Sequence, residues 1–176
     1  MVRVAPAENN LPYREASRIN IHRDTWGTNL YQQINWWAPV SNVEKKNTMI
    51  FYPDYFDVPV KNTTSTWDLN IYLANRKKGD FSYPSAPQLK QDLPSNIKIV
   101  PVTIKPGEIL CFSGAHLHSS SKEKSENTRI SFEIRTICEN DLNSSAQAPN
   151  VDCDLQWKFP KIFKKINDNS PLKITS

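Results

Sequence analysis

A histidine and an aspartate separated by one residue, in the sequence IHRDTW, are the side chains of this chain best suited to bind a metal ion. Side chains alternate between the two faces of an extended strand, so His22 and Asp24 would point the same way and Arg23 the opposite way. The sequence AHLHSS offers a further ligand, His116 or His118, and geometry alone does not choose between them. Two imidazoles and one carboxylate that leave coordination positions open are typical of a non-haem Fe(II) centre.

The cysteines offer no competing metal site. A closed structural zinc site needs four protein ligands, whereas Cys111, Cys138 and Cys153 are far apart and form no Cys-x-x-Cys pair. Unpaired cysteines and a candidate Fe(II) site favour a reducing compartment, and the first ten residues lack the apolar core of a secretory signal. No apolar run approaches the roughly 20 residues of a membrane span. We therefore expect a cytoplasmic protein that does not enter a membrane.

Two equal spacings surround the second histidine pair. Gly107 lies eleven positions before His118, and Arg129 lies eleven positions after it. Gly107 belongs to a Lys-Pro-Gly-Glu turn that leads into an apolar strand. This order resembles the phytanoyl-CoA dioxygenase-like branch of the Fe(II)- and 2-oxoglutarate-dependent oxygenases. In that branch a glycine-acid turn precedes the strand, a small residue follows the distal histidine, and a basic residue closes the motif. The resemblance covers about residues 18 to 137.

The resemblance implies a role for each of these side chains. It makes His22, Asp24 and His118 the iron ligands. It pairs Arg129 with the distal carboxylate of 2-oxoglutarate, to which Ser131 would also donate. A guanidinium group suits that task, because it binds a carboxylate through two hydrogen bonds and stays charged when buried. The implied reaction is hydroxylation of a small molecule by dioxygen, with succinate and CO2 as co-products. The acid at Asp24 favours hydroxylation, since halogenating members carry a small residue there.

The chain is dominated by the period-2 alternation of β-strands. Strands are predicted at 18–22, 30–40, 48–52, 97–104, 107–112 and 128–137, and short helices at 67–76 and 155–166. Six or more short strands separated by polar turns predict an all-β sandwich or jelly roll. The resemblance implies the cupin-like type of jelly roll, a double-stranded β-helix, in a single domain over residues 1–176.

The predicted strand 30–40 has one face of unusual character. Tyr31, Gln33, Asn35 and Trp37 share that face, and amide side chains are rarely buried without hydrogen-bond partners. We expect the face to line the cavity, where Tyr31, Gln33 and Asn35 would hydrogen-bond 2-oxoglutarate or substrate. The alternative is that the face meets water and the three side chains are inert.

The chain departs from the family pattern in two places. Family members usually carry a Pro-Gly-Ser-His element after the metal turn, where this chain has Tyr-Pro-Asp-Tyr-Phe at 52–56. They also carry a substantial region before the His-x-Asp motif, where this chain has 21 residues. That short region fits a minimal family member, a fragment, or a cupin-like binding protein without turnover. The segment 54–95 has the length and composition of a functional lid or of a long surface crossover.

Other readings fit part of the pattern. Arg129 and Arg135 are separated by five residues, similar to the paired arginines of the AlkB-like nucleic-acid dealkylases. The net charge of +4 is spread along the chain without a basic stripe, however, which argues against nucleic acid as a partner. Arg129 could also lie on the solvent-exposed face of a half-buried strand, paired with Glu133 or Glu126. Taken together, the ordered spacings favour a metal enzyme with a small-molecule substrate and dioxygen.

Overall fold

Two antiparallel β-sheets make up most of the regular structure. The computed structural model describes residues 1–7, 19–80, 82–123 and 125–173. Within those ranges the strands are β1 (Val2–Ala5), β2 (Ile34–Pro39), β3 (Met49–Phe51), β4 (Val100–Pro101), β5 (Leu110–Ser113), β6 (His118–Ser120) and β7 (Arg129–Thr136). The α-helices are α1 (Thr25–Thr28), α2 (Leu69–Lys77) and α3 (Glu139–Leu142). Single 3-10 turns occupy Lys45–Asn47, Pro53–Tyr55 and Pro160–Ile162.

The larger sheet has the strand order β1-β7-β2-β5, and the smaller sheet has the order β4-β3-β6. All pairings between these strands are antiparallel. Strands that are neighbours in the sheets come from distant parts of the chain, so the polypeptide crosses between sheets repeatedly. This is the cupin-like β-sandwich of a double-stranded β-helix, and the predicted all-β class is confirmed.

Strand β7 reverses the usual burial pattern of a sheet strand. Its inward face carries only polar side chains, and its outward face is largely apolar. Arg129 and Ser131 are 3% and 0% exposed, whereas Ile130 and Ile134 are 39% and 52% exposed. A buried polar face needs hydrogen-bond partners or a ligand to offset its desolvation. The inward face of β7 is therefore where a binding site is expected.

Three apolar clusters hold the elements together. The largest lies next to α1 and includes Trp26, Tyr31, Tyr52, Leu117 and Leu155. A second cluster joins the two sheets, and a third ties the C-terminal region to the start of β2. Burying one large apolar side chain contributes about 1.5–3 kcal/mol. These clusters supply the rigid surroundings that a preorganised site requires.

Most predicted strands contain an observed strand, although the observed ones are shorter. The strand predicted at 18–22 is an exception, since residue 18 lies outside the described residues and only His22 pairs, through an isolated bridge to His118. Strands β1 and β6 lie outside the predicted strand ranges. The helix predicted at 67–76 is confirmed as α2, which Asp68 caps by accepting hydrogen bonds from two backbone N–H groups.

The helix predicted at 155–166 is wrong. The structure has only the 3-10 turn Pro160–Ile162 there. Pro160 lacks the N–H that a helix interior requires, and its ring clashes with the preceding turn. The segment instead buries Leu155 and Phe163 in two different apolar clusters. Among the described residues, none of the helices has the length and hydrophobicity that a membrane span requires.

Candidate metal and cosubstrate site

Three buried side chains meet at the start of α1. The ligand atoms of His22, Asp24 and His118 all lie within 4.8 Å of one another. His22 Nε2 is 3.5 Å from Asp24 Oδ1, and His118 Nε2 is 3.6 Å from Asp24 Oδ2. Nitrogen and oxygen ligands bind zinc at about 2.0–2.2 Å, so neighbouring ligands of one such ion lie about 3 Å apart. The spacing fits a divalent ion, and the donor set is one that suits Fe(II).

The backbone brings the two histidines together as a cross-strand pair. The His22 N–H donates to the His118 carbonyl at 2.9 Å, and the His118 N–H donates back at 3.0 Å. The Nδ1 atoms lie 2.8 Å from the Asn20 carbonyl and 2.9 Å from the His116 carbonyl, respectively. A neutral imidazole whose Nδ1–H donates to a carbonyl presents its Nε2 lone pair. Both rings therefore offer Nε2 to the same point.

The charges of the site suit a cation. Burial, assisted by the neighbouring His22, lowers the pKa of His118 to about 3, so this imidazole is neutral. Burial alone would raise the pKa of Asp24, but the Arg135 guanidinium and the two imidazoles outweigh it and hold that pKa below its usual range. The site thus presents one carboxylate and neutral imidazole nitrogen.

Each oxygen of Asp24 has its own hydrogen-bond donor. The Arg135 Nη2 lies 2.7 Å from Oδ1, and the Asn35 amide donates to Oδ2. Gln33 Nε2 in turn donates to Asn35 Oδ1 at 2.8 Å, and Thr28 Oγ1 donates to Gln33 Oε1 at 3.3 Å. This amide relay, from Thr28 through Gln33 and Asn35 to Asp24, fixes which Asn35 atom faces the carboxylate. Gln33 and Asn35 thus point inward. Their hydrogen bonds connect them to each other, to Thr28 and to the candidate ligand Asp24.

Gly114 makes room for the amide relay. A Cβ at this position would lie 2.9 Å from Gln33 Nε2 and 3.3 Å from its Cδ. Contacts under 3.0 Å force one of the groups to move. The loop after β5 therefore approaches Gln33 so closely that only glycine fits without a shift.

Two other candidates from the sequence lie apart from this group. His116 packs its ring against Phe56, with centroids 4.6 Å apart, and belongs to no metal-ligand group among the described residues. Tyr31 precedes β2, so the strand alternation does not extend to it, and it packs with Trp26 and Leu155 in the largest apolar cluster. Its role in cosubstrate binding stays a prediction.

A narrow cavity lies beside His118, on the inward face of β7. It has a volume of about 20 Å³, and its lining includes Arg3, Trp37, Met49, Ser119, Arg129 and Glu133. The Arg129 guanidinium lies 5.6 Å from the centre of the Trp37 ring, and its Nη1 reaches the Asn47 carbonyl only at 3.5 Å. Burial, together with nearby Arg3, lowers the pKa of Arg129 to about 10.

Two polar atoms in this region have no partner. The Arg129 Nε and the Ser131 Oγ are buried and make no hydrogen bond. Leaving a buried donor unsatisfied costs about 1–3 kcal/mol, and more for a charged group. The pair of orphaned donors matches what a buried carboxylate would require. The two residues assigned to the cosubstrate by resemblance thus share one face of β7, and each has a buried polar atom without a partner.

Arg23 contacts a different set of residues from its neighbours His22 and Asp24, and it is 2% exposed. Its five N–H groups donate to Asp152 Oδ2 (3.1 Å) and to the carbonyls of Ala115 (2.6 Å), Phe56 (3.3 Å), Tyr55 (2.7 Å) and Val58 (3.0 Å). Asp152 also accepts from the Trp26 indole at 2.7 Å and from the Val60 N–H at 3.1 Å. We call this set, from Arg23 and Asp152 to their partners, the Arg23 anchor. Sequence reasoning missed it, as it missed the Arg135 contact with Asp24.

A signal for Arg135 was present in the sequence. Positions 129, 131, 133 and 135 share one face of β7, so the alternation that groups Arg129 with Ser131 also groups them with Glu133 and Arg135. The register then fixes the contact, because Arg135 pairs with Asn35 across β2. Asn35 is the residue that donates to Asp24.

Known structures with this fold were found, although no protein-family model and no curated protein matches the sequence. The apo structure of ThoJ, a non-heme monooxygenase, is 15% identical with a TM-score of 0.50, over 78% of this chain and 44% of that one. EvdO2 from Micromonospora carbonacea var. aurantiaca is 10% identical with a TM-score of 0.52, over 89% of this chain and 56% of that one. The chain spans about half the length of both. At these identities the likeness concerns the fold alone: this chain shares its β-sandwich with ThoJ and EvdO2.

Proposed function

We propose that this protein is an Fe(II)- and 2-oxoglutarate-dependent dioxygenase that hydroxylates a small molecule, of the phytanoyl-CoA dioxygenase-like branch. The observation that carries the proposal is the buried His22, Asp24 and His118 group beside two orphaned donors on β7. His118 and Arg129 line the same cavity, which supports binding of a chelating 2-oxo acid between the three ligands and the two donors. The domain assignment of residues 1–176, dioxygen as co-reactant and the cytoplasmic location belong to the same proposal.

The ligand set supports iron over structural zinc. His22, Asp24 and His118 supply three protein ligands, whereas a closed zinc site uses four. A two-histidine, one-carboxylate set leaves positions open for a cosubstrate and dioxygen. When bound, iron and 2-oxoglutarate would supply the activation of dioxygen and the oxidation of a substrate carbon, with succinate and CO2 as co-products.

The remaining chemistry belongs to the side chains around the metal ligands. Arg135 and Asn35 each hold one oxygen of Asp24, which keeps the carboxylate ionised and oriented. The rings of Phe51 and Phe112 lie 5.8 and 5.4 Å from the His118 ring and exclude water from that side. The chain thus binds, orients and shields the reacting groups.

Arg129 and Ser131 support 2-oxoglutarate as the cosubstrate. A guanidinium fork and a hydroxyl provide the donors that a buried carboxylate requires. The cavity beside them has room for about one water molecule at 20 Å³, so cosubstrate binding requires lining side chains to rearrange. Arg129 can move at little cost, because its hydrogen bond to the Asn47 carbonyl is 3.5 Å long. Met49, which also lines the cavity, is flexible enough to give way.

The test is an anaerobic titration of metal-free protein with Fe(II) and 2-oxoglutarate, monitored by the visible charge-transfer band of the chelate. The wild type should develop the band, His118→Ala should lose it, and Arg129→Ala should require much more 2-oxoglutarate. His116→Ala is the matched control, since His116 lies two residues from His118 but outside the ligand group, and it should retain the band. A wild type without the band, or a His118→Ala variant with a full band, would overturn the proposal.

A further inference from the structure

Strand β1 places a second arginine beside the orphaned donors of β7. In the ladder between the two strands Arg3 is opposite Ser131, and Ala5 is opposite Arg129. Directly opposed residues of an antiparallel pair project their side chains to the same face. Arg3 therefore faces inward next to Ser131, and it lines the same cavity as Arg129 and His118.

Among the described residues, neither Arg3 nor Arg129 makes an ion pair, although Glu133 lines the same cavity and attracts Arg3 at longer range. Glu133 pairs with Arg135, with its Oε1 2.8 Å from the Arg135 Nε, and Asp24 pairs with Arg135 at 2.7 Å. Within the described part of the chain, no carboxylate comes within ion-pair distance of Arg3 or Arg129. Arg3 and Arg129 repel each other in this small cavity, and an anion bound between them would offset that cost.

We propose that Arg3 and Arg129 form a two-guanidinium clamp for the carboxylate of the cosubstrate that is remote from the metal. This inference rests on the proposed function and extends it by a binding residue from the other end of the chain. The clamp selects for a 2-oxo acid with a second carboxylate, because a monoacid has no group that could accept hydrogen bonds from the two guanidinium groups. It also gives β1, an edge strand of the larger sheet, a part in binding.

The experiment compares a diacid with a monoacid. Dissociation constants are measured for 2-oxoglutarate and for 2-oxobutanoate, which lacks the remote carboxylate, in the anaerobic Fe(II) protein. Arg3→Gln should weaken 2-oxoglutarate binding by roughly tenfold or more, since it removes a charge-assisted contact, and leave 2-oxobutanoate binding within about twofold. Arg3→Lys should retain part of the affinity. Val2→Gln, on the exposed face of the same strand, is the matched control and should bind both acids as the wild type does.

A second measurement separates the clamp from the iron chemistry. Glutarate binding to the metal-free protein is measured by calorimetry for wild type and Arg3→Gln. Tight binding that depends on Arg3 supports the clamp even where the wild type shows no Fe(II) band, an outcome that would defeat only the proposed function. The clamp is overturned if Arg3→Gln binds 2-oxoglutarate like the wild type, if it weakens both 2-oxo acids equally, or if no diacid binds at all.

Discussion

Two arginines of this protein, Arg23 and Arg129, are almost equally buried but differ in how completely they are hydrogen-bonded. Arg23 is 2% exposed and all five of its N–H groups donate hydrogen bonds, one of them to Asp152. Arg129 is 3% exposed and its Nε has no partner. Its Nη1 donates a long hydrogen bond, of 3.5 Å, to the Asn47 carbonyl. Burial alone therefore does not tell a structural arginine from a binding one. The completeness of the hydrogen bonding does, because a folded protein gains nothing by leaving a buried cation unsatisfied.

The strongest way to test this contrast is to remove the satisfied guanidinium. Arg23→Met should lower the free energy of unfolding by about 3–5 kcal/mol, because it leaves Asp152 a buried carboxylate without its cation and several carbonyls without a donor. Chemical denaturation monitored by tryptophan fluorescence gives this value. A loss below about 1 kcal/mol would show that the Arg23 anchor does not hold the fold.

A slightly smaller effect is expected at the other end of the same ion pair. Asp152→Asn should lower the free energy of unfolding by about 2–4 kcal/mol, since Arg23 then lacks its counter-charge. Trp26 and Val60 donate to different oxygens of Asp152, so the amide oxygen can accept from only one of them in place. In a double-mutant cycle with Arg23→Met, the two losses should fall short of additivity by about 1–3 kcal/mol. Simple additivity would mean that the two residues act separately.

Gly114→Ala should have an intermediate effect, of about 1–2 kcal/mol, because the new methyl group overpacks the buried Gln33 amide. The amide relay would shift with it, so affinity for a divalent metal should fall as well, measured by titration with Co(II) as a spectroscopic probe. Gly27→Ala is the matched control, since a Cβ there would meet no atom within 4 Å. Its stability should stay the same or rise. If Gly114→Ala and Gly27→Ala had equal effects, the close contact between Gly114 and Gln33 would not matter for stability or metal affinity.

The smallest effect on stability is expected at Arg129. Arg129→Met should change the free energy of unfolding by less than about 1 kcal/mol, because it exchanges a poorly satisfied cation for an apolar side chain of similar length. The stabilisation by added 2-oxoglutarate, about 2.7 kcal/mol at a hundredfold excess over the dissociation constant, should disappear. Thermal unfolding of the metal-loaded protein with and without the diacid measures both. A loss of stability as large as that of Arg23→Met would erase the distinction between the two arginines.

The fold could be predicted wherever alternation carried the signal. Strand β7 was found although its polar side chains face inward, because the period of two is the same whichever face is apolar. The prediction of a terminal helix was wrong because it relied on the spacing of charged and aromatic residues. Pro160 prevents a helix there whatever that spacing is. Strand β1 was missed since four residues carry little periodicity.

The candidate site was predictable in part. His22 and Asp24 were expected to point the same way from one strand, yet Asp24 has the backbone angles of a helix and precedes α1. The two side chains meet through a turn and not through a strand. The Arg23 contact with Asp152 spans 129 positions, and Arg3 meets Ser131 across 128. Contacts at such separations depend on tertiary packing, which local patterns do not encode.

The order of residues 22 to 24 has a consequence for genetic experiments. In a saturation mutagenesis screen scored by growth, all three positions would reject substitution, and a reader of the tolerance map would assign a three-residue motif to the reaction. Soluble yield separates them. Substitutions at positions 22 and 24 should give soluble but inactive protein. Substitutions at Arg23 should lower the amount of soluble protein, because its side chain holds residues 55, 56, 58, 115 and 152 together through hydrogen bonds.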